Sequence, residues 1–313
     1  MPVTITAGIT FSGGGITTSF APPSGATASW YTGQNGTVTI TRITYATDTA
    51  ISTNRGALNV TAGTTTGTGT LTDGWFGGNS GPGSVVQRIT FATDTATASV
   101  RGPLSVARGY TAATSDTTTY GWFGGGYGSA PVPVRSTVDR ITFATDTATA
   151  SVRGPLVRKV YILAGIGTTT SGWYCGGRDN SVPINYSEVS RITYATDTAT
   201  TSARGSLTTT ASGAAATGDG TTYGWVTVGN GGQSTVNRIT YANDTATASI
   251  RGPMNGSTYG GAGTGNDTYG YFAPRYLGQS TVSRITFATD TNTATAVGMT
   301  NGSGYSGGVS GTQ

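Results

Sequence analysis

One triplet, Arg-Ile-Thr, occurs six times in the chain, starting at Arg42, Arg88, Arg140, Arg191, Arg238 and Arg284, at intervals of 46, 52, 51, 47 and 46 residues. Each copy continues into Tyr or Phe, and an aspartate follows three residues after that aromatic: Asp48, Asp94, Asp146, Asp197, Asp244 and Asp290. Self-similarity at a period of roughly 20–50 residues marks a repeat architecture, because one such unit cannot bury its apolar surface alone and has to stack on copies of itself. The copies run almost to both ends of the 313 residues, which predicts one closed domain over residues 26–313 and a short extension over residues 1–25.

Each unit divides into four short segments with strand character, separated by turn residues. In the third unit these are residues 109–114, 120–125, 136–143 and 148–152, called strands A to D here. Strand C alternates, with Ile141 and Phe143 on one face and Val138, Arg140 and Thr142 on the other. Strand A carries small side chains, as a crowded interior requires. No window sustains a helical apolar period, so the unit reads as an antiparallel β-meander in an all-β fold. A chain with 51 glycines and only 10% charged residues has a composition that also suits disorder. Aromatic and β-branched residues at fixed positions in every copy argue for order.

The succession Gly124-Gly125, Val138-Asp139-Arg140-Ile141-Thr142-Phe143, the Asp146-Thr147 turn and Pro155-Leu156-Val157-Arg158 resembles the kelch repeat over roughly residues 26–313. The resemblance implies a β-propeller. Two features depart from it: a small residue near Ala150 replaces the outer-strand Trp, and the aromatic mass moves to strand B, at Trp30, Trp75, Trp122, Trp173, Trp225 and Tyr271. The other common propeller repeat needs Gly-His and Trp-Asp pairs, and this chain has neither. The first copy lacks a strand A, whereas the chain ends on a spare one, Gly304-Tyr305-Ser306-Gly307-Gly308, which aligns with Gly109-Tyr110-Thr111-Ala112-Ala113. Pairing the two ends predicts a six-bladed propeller with no open seam. The wording of the repeat is also similar to repeats in virion structural proteins of tailed phages, especially the cyanophage type. That likeness implies a place in a virion within a multi-copy assembly, with other virion proteins or host cell-surface polysaccharide as partners. Residues 1–22 are then a candidate anchor or an added edge strand.

In a meander, the A–B and C–D turns share one end of the blade and the B–C and D–A connections share the other. Sorted this way, the six repeated aspartates, with Asp73, Asp116, Asp219 and Asp267, predict an acidic face. Arg55, Arg101, Arg153, Arg204 and Arg251 at the end of strand D, with Arg108, Arg135, Arg158, Lys159, Arg178 and Arg275, predict a basic one. The spacing from the strand-B aromatic to the next Arg-Ile-Thr is 12 or 13 residues in four units and 18 in two. The two long connections, 127–135 and 178–188, fall on neighbouring units at the basic end. Insertions confined to one face of a repeat array point to a binding side, although tolerant loops also drift. Tyr127, Arg135, Arg178, Asn180, Asn185 and Tyr186 are the candidate contact residues, since aromatic platforms and planar donors suit sugars and phosphates.

Catalytic equipment is sparse. With no histidine, proton transfer near neutral pH falls to carboxylates or a perturbed lysine. Asp179 and Glu188 are the one non-repeat carboxylate pair that fits a polysaccharide-degrading enzyme, the alternative reading. The six aspartates are expected to accept bonds from nearby backbone N–H groups, with calcium at the Asp-Thr turns as the rival reading. The six mid-strand arginines are expected to bridge blades through carbonyls or carboxylates. Cys175 reads as a small packed residue; kelch-related copper oxidases require histidine ligands that are missing here. The expectation is a non-enzyme without metal or cofactor, and without nucleic-acid or membrane partners. The start lacks secretory-signal character and no apolar run approaches bilayer length, so synthesis in a host cytoplasm is expected.

Overall fold

The computed structural model describes residues 25–32, 37–61, 63–79, 83–129, 133–180, 184–229, 233–256, 261–273, 281–299 and 307–312. These form a six-bladed β-propeller of four-stranded antiparallel sheets. The candidate anchor or edge strand at residues 1–22 lies outside the described residues. The third blade, from the axis outward, is Ala112–Ser115, Tyr120–Gly124, Val138–Thr142 and Ser151–Arg153. Each strand A touches the strands A of both neighbouring blades, so the ring is closed. The small residues of strand A follow from this crowding: a Cβ on Gly67 would lie 2.6 Å from the Gly308 carbonyl oxygen of the adjoining blade.

The first blade joins both chain ends. Its strand A is Gly307–Gly311, paired antiparallel with Ala28–Thr32 in the register Ala28↔Gly311 to Thr32↔Gly307. The expected repeat alignment holds over the described Gly307–Gly311, and the third blade's strand A begins at Ala112 rather than Gly109. Strand D also starts later than expected, at Ser151, because Phe143–Thr145 coil into a 3₁₀ turn. Only one residue in this closing strand carries a large apolar side chain, Val309, which packs beside Trp30, Phe76 and Phe91.

Both faces of each sheet are buried against other blades. In the third blade, Val138 and Arg140 face the fourth blade, Val138 packing with Tyr174. Ile141 and Phe143 face the second blade and pack with Trp75. The alternation read along strand C therefore separates two neighbours and not core from solvent.

A single carboxylate joins each blade to the next. Asp197, in the C–D turn of the fourth blade, accepts Trp122 Nε1 at 2.9 Å and Arg140 Nη1 at 3.0 Å, both from the third blade. Arg153 of the same blade brings its Nε to 3.5 Å. The Trp122 ring stacks on Tyr194 of the fourth blade at a centroid distance of 3.9 Å. Asp94, Asp146, Asp244 and Asp290 each repeat this pattern with one strand-B Trp and two arginines from the preceding blade. At the seam the chemistry changes. Tyr271 Oη replaces the indole, donating to Asp48 at 2.8 Å, Arg284 approaches at 2.6 Å, and Val297 stands where the second arginine would be.

This geometry overturns the two-faced charge distribution expected from the repeats. The six aspartates are buried, and five of them contact the strand-D arginines assigned to the opposite face. Sheet twist swings the end of strand D onto the neighbouring C–D turn, where the Gly154 N–H donates to the Asp197 carbonyl at 2.8 Å. A glycine is required there because a Cβ would overlap the Ala199 carbonyl oxygen. The expectation that these aspartates cap their own turns fails as well: their Oδ2 atoms serve the preceding blade. Turn-capping belongs instead to A–B residues such as Asp116, whose Oδ1 accepts the N–H groups of Thr118, Thr119 and Tyr120.

Removing one member of a buried ionic group strands the rest, typically at a cost of about 3–5 kcal/mol. The arginine sides of these contacts are 19–28% exposed in the third to fifth blades, which places them at the lower end. Asp197→Ala is expected to destabilise by about 3 kcal/mol, lowering the melting temperature by about 4–6 °C in a calorimetric scan; an unchanged transition would contradict the assignment. Deleting residues 307–313 leaves Ala28–Thr32 as a bare edge and uncovers Trp30, so the truncated chain is expected to lose its cooperative melt.

Candidate functional site at the third and fourth blades

At the end where the B–C and D–A connections emerge, a double glycine releases each of these two blades from strand B. Gly125 and Gly126 have φ of 67° and 112°, and Gly176 and Gly177 have 65° and 105°. The left-handed backbone lets the chain pass over the next D–A connection, with Gly126 N–H donating to Val160 O at 2.8 Å and Gly177 N–H to Ala211 O at 2.7 Å. Past these turns the two long connections double back. Tyr127 pairs with Gly109 and Val134, and Arg178–Asp179 pairs with Ile184–Asn185 in a small hairpin. Tyr161 in turn exchanges backbone bonds with Arg178 at 3.0 and 2.9 Å.

The result is an aromatic cluster. The Tyr161 ring lies 5.2 Å from Tyr127 and 6.0 Å, edge-on, from Tyr110. Tyr161 Oη donates to Asn180 Oδ1 at 2.5 Å. Tyr110 and Ile162 both hold a left-handed φ of 57°, rare for bulky residues and costing about 1–3 kcal/mol each. Backbone bonds sustain it: Tyr110 N–H donates to Thr64 O, Ile162 N–H to Tyr110 O and Gly213 N–H to Ile162 O, at 2.9–3.0 Å.

Beneath this cluster is an ion pair with both side chains 0% exposed, Arg108 Nη1 to Asp139 at 3.0 Å. Burial pushes the Arg108 guanidinium below its usual range, and Asp139 works against that shift. Asp139 also accepts Ser105 N–H at 2.8 Å and Ser105 Oγ at 2.6 Å. The neighbouring blade fills the position equivalent to Arg108 with Val160, so the fold does not itself demand charge there.

Four of the six sequence candidates thus converge: Tyr127, Arg135, Arg178 and Asn180 surround Tyr161. Arg135 joins through its backbone, its N–H donating to Gly126 O and its carbonyl accepting from Val160. Asn185 sits opposite Arg178 in the hairpin. Tyr186 lies apart, under the Arg158 guanidinium at 5.2 Å. Sequence reasoning missed Tyr110 and Tyr161 as site residues; at the position of Tyr161 four of the other five units have glycine or serine, Gly63, Gly109, Ser212 and Gly304, whereas the position of Tyr110 varies. Glu188, one of the two candidate acid–base carboxylates, is held by Arg158 at 2.5 Å. Among the described residues, no three His, Cys, Asp or Glu side chains gather in a metal-binding group.

The axial cavity is a poor ligand site. Its volume is about 90 Å³, against roughly 300–1,000 Å³ for small-molecule pockets. Thr, Gly, Ala and aliphatic residues line it, with no ionisable side chain among them.

Fold and site together define a six-bladed β-propeller whose two long connections meet at one end of two adjacent blades. Compared with known proteins, the chain matches no family model and no curated protein.

Cys175 is fully buried, and burial pushes its thiol well above the ordinary range. Iodoacetamide is expected to leave it unmodified in native buffer and to alkylate it fully in denaturant; rapid native labelling would contradict that.

Proposed function

We propose that the chain is a non-enzymatic structural and adhesion component of a virion, and that the end formed by residues 127–135 and 178–188 contacts host-surface glycan or a neighbouring virion protein. The observation that carries this reading is the convergence of both insertions on one cluster with a 37%-exposed Tyr127 over Tyr161 and an exposed Asn180. Tyrosine faces with adjacent polar donors suit a sugar ring. The virion assignment is supported by the likeness of the repeat wording to tailed-phage structural proteins, and mass spectrometry of purified particles checks it.

A glycan array read with labelled protein tests the contact. Binding is expected, and Tyr127→Ala is expected to weaken it by about tenfold, the loss of one stacked ring at about 1.4 kcal/mol. A silent array, or binding indifferent to Tyr127→Ala, would remove the glycan reading.

A second, purely architectural reading draws on the rim. Val100, Val152 and Ile250 occupy the same strand-D position in three blades and are 51%, 59% and 62% exposed. Such a rim suits lateral contact in a capsid-decoration or tail component. Anchoring through residues 1–22 belongs to that reading.

A further inference from the structure

We propose that this end of the propeller takes an acidic saccharide, with Arg135 and Arg178 receiving its anionic group and Tyr127 covering one face of the ring. The inference deepens the adhesion reading and rests on it. Its starting point is the pairing of charges. Every other arginine among the described residues has a carboxylate within 4 Å, eleven of them on the six inter-blade aspartates. Arg108 and Arg158 have Asp139 and Glu188. Arg135 and Arg178 alone have none, and both lie in the two connections that break the repeat.

Arg135 also has a charged neighbour of its own sign. It adds to the downward pressure on the buried Arg108. The carboxylate that could have offset both is already committed, since Asp139 accepts Arg108 through one oxygen and Ser105 through both. With Asp179 beside Arg178, the locality holds three guanidinium groups, Arg108, Arg135 and Arg178, against two carboxylates, Asp139 and Asp179, and an external anion would restore the balance. Lys159, exposed on the connection between Arg158 and Val160, adds to the field.

The remaining chemistry selects a sugar rather than a free ion or a polyanion. A planar guanidinium meets a carboxylate with two parallel bonds. Asn180 spends its Oδ1 on Tyr161, which leaves its amide hydrogens for a ligand hydroxyl or carbonyl. Tyr127 offers the apolar surface that a sugar ring uses and a free phosphate does not. Arg135, Arg178 and Lys159 are too few for the long basic stripe that tracks a nucleic-acid backbone.

The test uses the full chain on an array of uronate and sialate oligosaccharides, each printed beside its methyl ester, which has the same rings without the charge. At least one acid is expected to bind tenfold or more tightly than its ester. Arg135→Gln and Arg178→Gln should each remove most of that preference, bringing acid binding down toward that of the ester, while Tyr127→Ala should weaken acid and ester alike. Melting curves on each variant establish that the ring is intact. Equal binding of acid and ester, or glutamine variants that keep the preference, would overturn charge recognition while leaving glycan adhesion standing through Tyr127. A panel silent for every acid and ester would overturn both.

Discussion

Each junction between blades depends on one buried carboxylate that takes donors from the strands of the preceding sheet. In five junctions an indole N–H and two arginines from one blade meet an aspartate of the next, beside a stacked aromatic pair. Apolar faces alone would allow adjacent sheets to slide, because hydrophobic contact is non-directional. A desolvated carboxylate with directed donors tolerates little displacement, since any unpaired partner is costly. The same contact explains the required glycine at the end of strand D, where the backbone of one blade rests on the turn of the next. It also sets where strand D goes, and so cancels the polarity that a flat meander would have shown.

The seam stands apart from the other five junctions. Among the described residues, only the Tyr271 and Arg284 side chains serve Asp48, and the covering strand comes from the carboxyl end of the chain. Ring closure there draws on backbone pairing more than on side-chain burial, as the glycine-rich Gly307–Gly311 shows. Sixfold repetition does not make six equal interfaces.

Function is sought where the repetition breaks. Residues used in every blade are consumed by holding blades together, and the axial cavity is lined by backbone and small side chains. The third and fourth blades differ by two long connections, two left-handed bulky residues and a buried ion pair that the neighbouring blade replaces with Val160. Backbone strain at Tyr110 and Ile162 persists because the bonds from Thr64 through Gly213 over-determine it. That cost is met in just the region where Tyr127, Tyr161 and Asn180 come together.

The repeat spacing, the alternation along strand C and the unmatched strand at each chain end were enough to read six blades and their closure, since those features follow from local periodicity and counting. The long connections were equally visible as extra residues. Which side chains meet was a different matter. The aspartates looked like turn caps, and the arginines of strand D looked like a surface field, because sequence order places each pair in separate units and at opposite ends of a blade. Twist and the packing of one sheet on the next brought Asp197 to Trp122, Arg140 and Arg153, and brought Tyr161 between Tyr127 and Asn180. Chain order alone determined the number of blades and how the ring is sealed; only the tertiary structure decided which charges are spent inside it and which remain, because contact between blades depends on orientation in space and not on distance along the chain.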